Sequence, residues 1–368
     1  MRRVCALLAG LIVAGLAAAG LPATTPATSA ARPIVIGHRG ASGSRPEHTL
    51  AAYKRAIEAG ADFIEPDLVS TKDGALVARH ENEISGTTDV ASRPEFASRR
   101  ATKTIDGARL TGWFTEDFTL AELKTLRAIE RIPDIRPRNT LFNGMYAVPT
   151  LQEVIDLAKA QSAATGRTIG IYPETKHPSY FAAIGLPLEE PLVAILNANG
   201  YRDAAAPVFI QSFETANLKR LRGLTGVRLV QLIDAAGQPY DFALAGDPRG
   251  YADLITPAGL KEIATYAQGV GANKGLIIPR DSAGRLTRPT ALVADAHAAG
   301  LLVHAWTFRS ENQFLPAELR LPDAGGKIRP QQRGDAAAEY RRFFDAGLDG
   351  VFSDHPGAAA HIRNELFR

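Results

Sequence analysis

Eight short apolar runs recur along this chain, each set apart by a longer amphipathic stretch, and that alternation narrows the fold more than any other feature. The runs lie at 34–37, 63–68, 168–172, 207–211, 228–232, 275–278, 301–306 and 350–352. Between most of them the text has helical periodicity, at 47–59, 151–164, 188–198, 214–223, 257–268, 290–299 and 336–346. Several of these stretches close on a glycine, Gly60, Gly200, Gly300 or Gly347, as helix ends commonly do. Strand and helix in alternation predict parallel βα units. An open doubly wound sheet shares the local pattern, but the number of strands favours a closed (β/α)8 TIM barrel.

Two segments depart from the alternation. A further strand at 75–80 follows Lys72-Asp73-Gly74, and an Asp-Gly turn predicts a hairpin running back antiparallel beside 63–68. From 81 to 147 periodicity is lost, which predicts a small inserted domain after the second barrel strand's hairpin, interrupting a barrel that spans 31–368. The connections at 234–256 and 309–335 are longer than ordinary βα loops and are expected at the rim or as a lid.

The first thirty residues read as a signal peptide. Arg2 and Arg3 precede an apolar run from Val4 to Leu21, and small residues follow up to Ala30. The expectation is a secreted or cell-envelope protein with no stable membrane insertion after cleavage. Cys5, the only cysteine, lies within this segment, so the exported protein has no disulfide, thiol nucleophile or thiolate metal site. Without Arg2 and Arg3 the chain carries 40 basic and 39 acidic side chains, which excludes a broad electrostatic footprint for nucleic acid. Oligomeric state is not legible.

The chemistry-bearing residues fall at the carboxyl ends of expected strands, where a barrel builds its active site. Glu65 and Asp67 are two apart in a strand and face the same way, as do Glu174 and Lys176. Three converging carboxylates, Glu65, Asp67 and Glu174, suit a hard divalent cation, or else ion pairs with Arg39 and Lys176. His38 beside Arg39, and His80 at the end of the hairpin, are two imidazoles able to move protons to and from the same centre. Arg39 and Lys176 suit the non-bridging oxygens of a phosphate. Trp306 is a candidate for substrate contact, Gln211 and Ser212 for hydrogen bonding inside the barrel. Trp113 and Phe114 are expected to form a small core of the insert, and the basic run 99–103 a solvated face.

The strings HRGASGSRPEHTL from His38, GADFIEPDLVSTKDGALVARH ending at His80, YPETK at 172–176, IQSFE at 210–214, HAWTFR at 304–309 and DGVFSDHP at 349–356 closely resemble glycerophosphodiester phosphodiesterases. The resemblance covers nearly the whole exported chain and implies a (β/α)8 barrel with an insert, hydrolysing glycerophosphodiesters to sn-glycerol 3-phosphate and an alcohol. It implies general acid/base roles for His38 and His80, and a divalent ion on Glu65, Asp67 and Glu174. It implies phosphate contacts from Arg39 and Lys176, and Ca²⁺ in preference to Mg²⁺ among exported, insert-bearing members. The attacking oxygen is either that of water or the glycerol 2-hydroxyl. Glu81 stands where the family usually has Asp, which leaves a supporting role there in doubt. His48 stands in place of a common Asn and is expected to cap the helix beginning near Glu47. Rival readings are hydrolysis of poly(glycerol phosphate) wall teichoic acid, phospholipase D-like attack on lysophospholipids or sphingomyelin, and a non-catalytic glycerophosphodiester-binding protein.

Overall fold

In the computed structural model, which describes residues 32–367, thirteen strands form one large sheet and a separate hairpin. The expected signal peptide lies outside the described residues. The strands are β1 (Ile34–Gly37), β2 (Phe63–Ile64), β3 (Asp67–Ser70), β4 (Leu76–Ala78), β5 (Ala101–Ile105), β6 (Ala108–Gly112), β7 (Gly170–Ile171), β8 (Glu174–Thr175), β9 (Phe209–Ser212), β10 (Arg228–Ile233), β11 (Gly269–Asn273), β12 (Leu302–Phe308) and β13 (Gly350–Ser353). β2 and β3 are two halves of one strand broken at Glu65-Pro66, and β7 and β8 are halves of another broken at Tyr172-Pro173. Proline has no N–H for the ladder, which is why the pairing lapses at both places. The ten parallel segments therefore make eight barrel strands. β1 pairs with β2 on one side and β13 on the other, and parallel pairing continues through β12, β11, β10 and β9 to β8 and β3, so the sheet closes.

The interior of the closed sheet is plugged by Ile36, Phe63, Tyr172, Phe209, Val230 and Phe352, with Tyr172 stacked on Phe209 at 5.0 Å. A second, larger apolar layer lies between the sheet and the surrounding helices. The helix Leu50–Glu58 shows how local sequence sets such an element: Thr49 accepts the Ala52 N–H as its N-cap, and Ala52, Tyr53, Ala56 and Ile57 form its buried face. Before it, Gly40 has φ +86°, and a Cβ there would lie 2.6 Å from the Ala52 carbonyl carbon; only glycine lets the loop after β1 press onto this helix.

One expected strand is misplaced. Residues Lys274–Ile277 form a single helical turn, and the sixth barrel strand is β11, Gly269–Asn273. Its text, GVGAN, has a single β-branched residue, Val270, and Gly271 faces Leu232; a Cβ there would sit 2.5 Å from the leucine Cδ2. The apolar run after it was the stronger strand signal and the wrong one.

The hairpin was anticipated correctly: β4 runs antiparallel to β3 with Leu68 opposite Ala78. After it, the insert contains the two-stranded sheet β5–β6, short helical turns and long irregular stretches. Trp113, Phe114 and Phe118 are buried, but Trp113 and Phe118 join the large apolar layer shared with the barrel, so the insert has no separate core. The basic run is not simply solvated either: Arg99 pairs with Glu122, and Lys103 with Glu116 and Asp117 at 2.8 Å. Among the described residues no helix is long and apolar enough to cross a membrane.

Candidate active site

The broken strands deliver the carboxylates. Glu65, Asp67 and Glu174 are all buried, and one oxygen of each lies within 4.8 Å of the others. Each is held from behind. Glu65 accepts the Gln211 side-chain N–H at 2.7 Å and the Arg39 backbone N–H at 3.0 Å, the latter turned inward by the positive φ of Arg39 (57°). Glu174 accepts Lys176 Nζ at 2.9 Å. Asp67 Oδ2 accepts from His48 Nε2 at 3.0 Å, and Tyr53 donates to His48 Nδ1 at 2.8 Å. Asp67 Oδ1 is left buried with no partner.

The three carboxylates are electrostatically crowded. Burial, reinforced by Asp67 and Glu174, pushes the Glu65 carboxyl well above its usual range. Burial likewise lifts Glu174 to about 7 although Lys176 opposes it. For Asp67 burial works in the same direction but is outweighed by His48 and the nearby cations, and its carboxyl stays below the usual range. Crowded carboxylates with one orphaned oxygen and an all-oxygen donor set fit a hard divalent cation, which would relieve the repulsion. His48 thus does not cap the helix, since Thr49 does; it orients Asp67. The capping expectation failed because the left-handed turn at His48 (φ 52°) sends the ring into the barrel mouth.

The two imidazoles flank the carboxylates. His38 Nδ1 lies 2.5 Å from Asp354, its Nε2 3.9 Å from Glu65. Burial lowers it to about 4 despite Asp354, so at neutral pH it is uncharged; the carboxylate fixes the proton on Nδ1 and leaves Nε2 as a free base. His80 is paired through Nδ1 with Glu81, and its Nε2 receives Lys176 Nζ at 3.2 Å. Burial, with Arg39 and Lys176 adding to it, holds His80 well below its usual range. The longer reach of Glu81 compared with Asp still carries its carboxylate to the ring. Burial lowers Lys176, but Glu174 more than compensates and the amine stays charged.

The structure therefore gathers His38, Arg39, Glu65, His80, Glu174, Gln211 and Trp306 around one cavity of about 240 Å³. Asp67 stands behind them in the carboxylate cluster, and Lys176 at its edge. Trp306 is fixed by its indole N–H on the Gly271 carbonyl at 2.8 Å and meets Phe213 edge-on at 5.8 Å. A second cavity of about 530 Å³ adjoins on the Lys176 side, walled by Phe213, Tyr240 and Tyr251 with Glu214, Asp234 and Asp106. Part of its wall, Gln238 to Tyr251, comes from the long connection expected at the rim. Trp113 and Phe114 line neither cavity.

Asp354 is legible in the sequence as one of the polar residues at strand ends, but nothing local ties it to His38. Other residues at the site went unrecognised in the sequence. Glu47 takes Arg39 Nη1 at 3.2 Å and, through both oxygens, Arg131. Arg79, fully buried, donates to the backbone carbonyls of Glu47 and His48 at 3.0 and 2.6 Å and holds the loop after β1 down. Arg131 and Arg136 come from the insert, where no periodicity marked any residue out.

Comparison with known proteins agrees with this geometry. The model of the glycerophosphoryl diester phosphodiesterase family matches residues 38–358. Glycerophosphodiester phosphodiesterase GDPD6 of Arabidopsis thaliana is 37% identical over 94% of this chain and 89% of its own length. A glycerophosphodiester phosphodiesterase of Haemophilus influenzae is 29% identical over 88% and 87% respectively. Among solved structures, an Oleispira antarctica phosphodiesterase in complex with the product sn-glycerol-3-phosphate shares the fold, with a TM-score of 0.55 at 20% identity, covering 90% of this chain and 97% of that one. The chain belongs to the glycerophosphoryl diester phosphodiesterase family and is a phosphoric diester hydrolase of the (β/α)8 barrel class.

Proposed function

We propose that this protein hydrolyses glycerophosphodiesters to sn-glycerol 3-phosphate and an alcohol, with a divalent cation on Glu65, Asp67 and Glu174, His38 as general base and His80 as general acid. The observation that carries the reading is the pair of imidazoles beside a buried carboxylate cluster whose geometry could hold a cation. Calcium is the preferred ion, since it accepts three protein carboxylates at one centre, whereas magnesium usually keeps most of its waters. When bound, the ion supplies positive charge to a phosphoryl oxygen and acidifies a nearby hydroxyl.

The protein's own groups do the rest. Arg39, which lines the cavity, and Lys176 at its edge bind the non-bridging oxygens. The attacking hydroxyl gives its proton to His38 Nε2 as the new P–O bond forms. The P–O bond to the alcohol breaks as His80 Nε2–H protonates the departing oxygen. In the free protein Lys176 occupies His80 Nε2; an arriving phosphodiester anion draws the ammonium away and favours the imidazolium. The alcohol departs into the aromatic and acidic cavity beside Lys176.

Release of glycerol 3-phosphate from glycerophosphocholine, with and without chelator, tests the whole. His38→Ala and His80→Ala should each lose about 10³-fold or more in kcat while remaining folded. Chelation should abolish turnover, and calcium should restore more of it than magnesium. Retained activity in both histidine variants would defeat the assignment. A panel that includes poly(glycerol phosphate) identifies the preferred alcohol. Export is the companion proposal, resting on the amino-terminal apolar run, and accumulation of a shortened protein outside the cytoplasm is its test.

A further inference from the structure

A short stretch of the insert reaches the carboxylate behind each histidine. Arg131 donates from Nη1 and Nη2 to Glu81 at 3.0 and 2.6 Å, and from Nε and Nη2 to Glu47 at 2.9 and 2.6 Å. Arg136 donates from Nη2 to Asp354 at 2.5 Å, from Nε to Glu311 at 2.7 Å and from Nη1 to the Ser42 carbonyl at 3.1 Å. The stretch is itself braced, with the Asn139 side-chain amide donating to Glu130 at 2.8 Å and to the Ser42 carbonyl at 3.0 Å. Glu81 and Asp354 are the groups on His80 Nδ1 and His38 Nδ1.

We propose that Arg131 and Arg136 are positioning residues for the proton-transfer pair, so that the insert completes both histidine arms of the barrel. This rests on the reading of His38 and His80 as base and acid. A carboxylate bonded to an imidazole through one oxygen is free to swing unless something holds the other, and a swing releases the ring and its tautomer. A guanidinium fork fixes two partners in one plane, which an ammonium cannot do.

The test uses the whole protein with metal, glycerophosphocholine kinetics, and two-bond ¹H–¹⁵N spectra of the histidine rings. Arg136→Ala should lower kcat about 100-fold and Arg131→Ala about 30-fold, with KM changed less than about threefold, the scale expected for a group that orients a catalytic or ligating imidazole. Arg136→Ala should mix the tautomers of His38 alone, and Arg131→Ala those of His80 alone. Lysine at either position should recover about tenfold of the loss; if an alanine variant does not fold, the lysine variant, still below wild type, carries the same readouts. Arg127→Ala is the control. Its guanidinium binds the carbonyls of Lys124, Thr125 and Leu126 within the insert, so it disturbs the insert without touching either arm and should stay within about threefold of wild type. Wild-type kcat in both alanine variants, an equal loss in Arg127→Ala, or lost activity with unchanged tautomers would each overturn the proposal. If His38→Ala and His80→Ala are dead while the arginine variants are active, only this inference falls. If the histidine variants are active, the functional reading falls with it.

Discussion

The two histidine arms are built from the same parts but differ in rigidity and access. His38 sits on a barrel strand end with 9% of its side chain exposed, and Asp354 behind it is held by two guanidinium groups, Arg136 and Arg309. His80 sits past a hairpin strand with 26% exposed, and Glu81 behind it is held by Arg131 alone. The Asp354 carboxyl, which burial alone would raise, is driven well below its usual range by Arg136 and Arg309, so it stays ionised against the ring. Under the proposed roles, the dry, doubly braced arm suits the ring that keeps one tautomer ready to take a proton. The more open arm, facing Lys176, suits the ring proposed to change protonation when an anion arrives.

The largest effect that bears on this contrast is expected from paired amide substitutions. Asp354→Asn should cost about 10³-fold or more in kcat, because the amide can present an N–H to the ring and impose the wrong tautomer; Glu81→Gln should cost about 10- to 100-fold. Equal losses in single-turnover assays would erase the distinction between the arms. His48→Ala probes the carboxylate cluster that both arms share. Calcium affinity by calorimetry should fall about 10- to 100-fold, since Asp67 loses the donor that aims it.

A pH experiment sharpens the comparison at intermediate scale. His38 is held near 4 by burial, against about 6.5 for an unfolded imidazole. Between those values the unfolded chain binds the extra proton, so this contribution is fully present above about pH 6.5 and is lost as pH falls toward 4. Thermal melts should show stability declining over that window, with a shallower decline in His38→Gln. A matching slope in that variant would show that His38 is not the group responsible. In ring spectra at pH 7, addition of glycerol 3-phosphate should move His80 toward imidazolium and leave His38 neutral. The smallest effect is expected from Arg309→Ala, less than tenfold in kcat, because Arg309 holds Asp354 at 2.9 Å from a side chain 29% exposed, whereas Arg136, 7% exposed, holds it at 2.5 Å and is the stronger brace. A loss as large as that of Arg136→Ala would make the rim, and not the insert, the principal brace.

Much of the site was legible because barrel chemistry collects at strand ends. Glu65 and Asp67, Glu174 and Lys176, His38 and Arg39 each share a few residues of text, and strand geometry orients them together. Legibility failed in two physical circumstances. At β11 the true strand needed a glycine where Leu232 packs, so its text looked like a loop and the run after it like a strand. At His48 a left-handed backbone turned a ring expected at a helix end onto a carboxylate.

The order of strands and helices, the hairpin after β3 and the set of ionisable groups at the barrel mouth follow from the text alone, since hydrophobic period and strand alternation are local properties. That Asp354 stands behind His38, and which groups brace Asp354 and Glu81, was decided only by the tertiary structure. Arg136 meets Asp354 across 218 residues and Arg131 meets Glu47 across 84. No period or spacing encodes such pairs; they exist because an irregular stretch of the insert is folded down onto the mouth of a closed sheet.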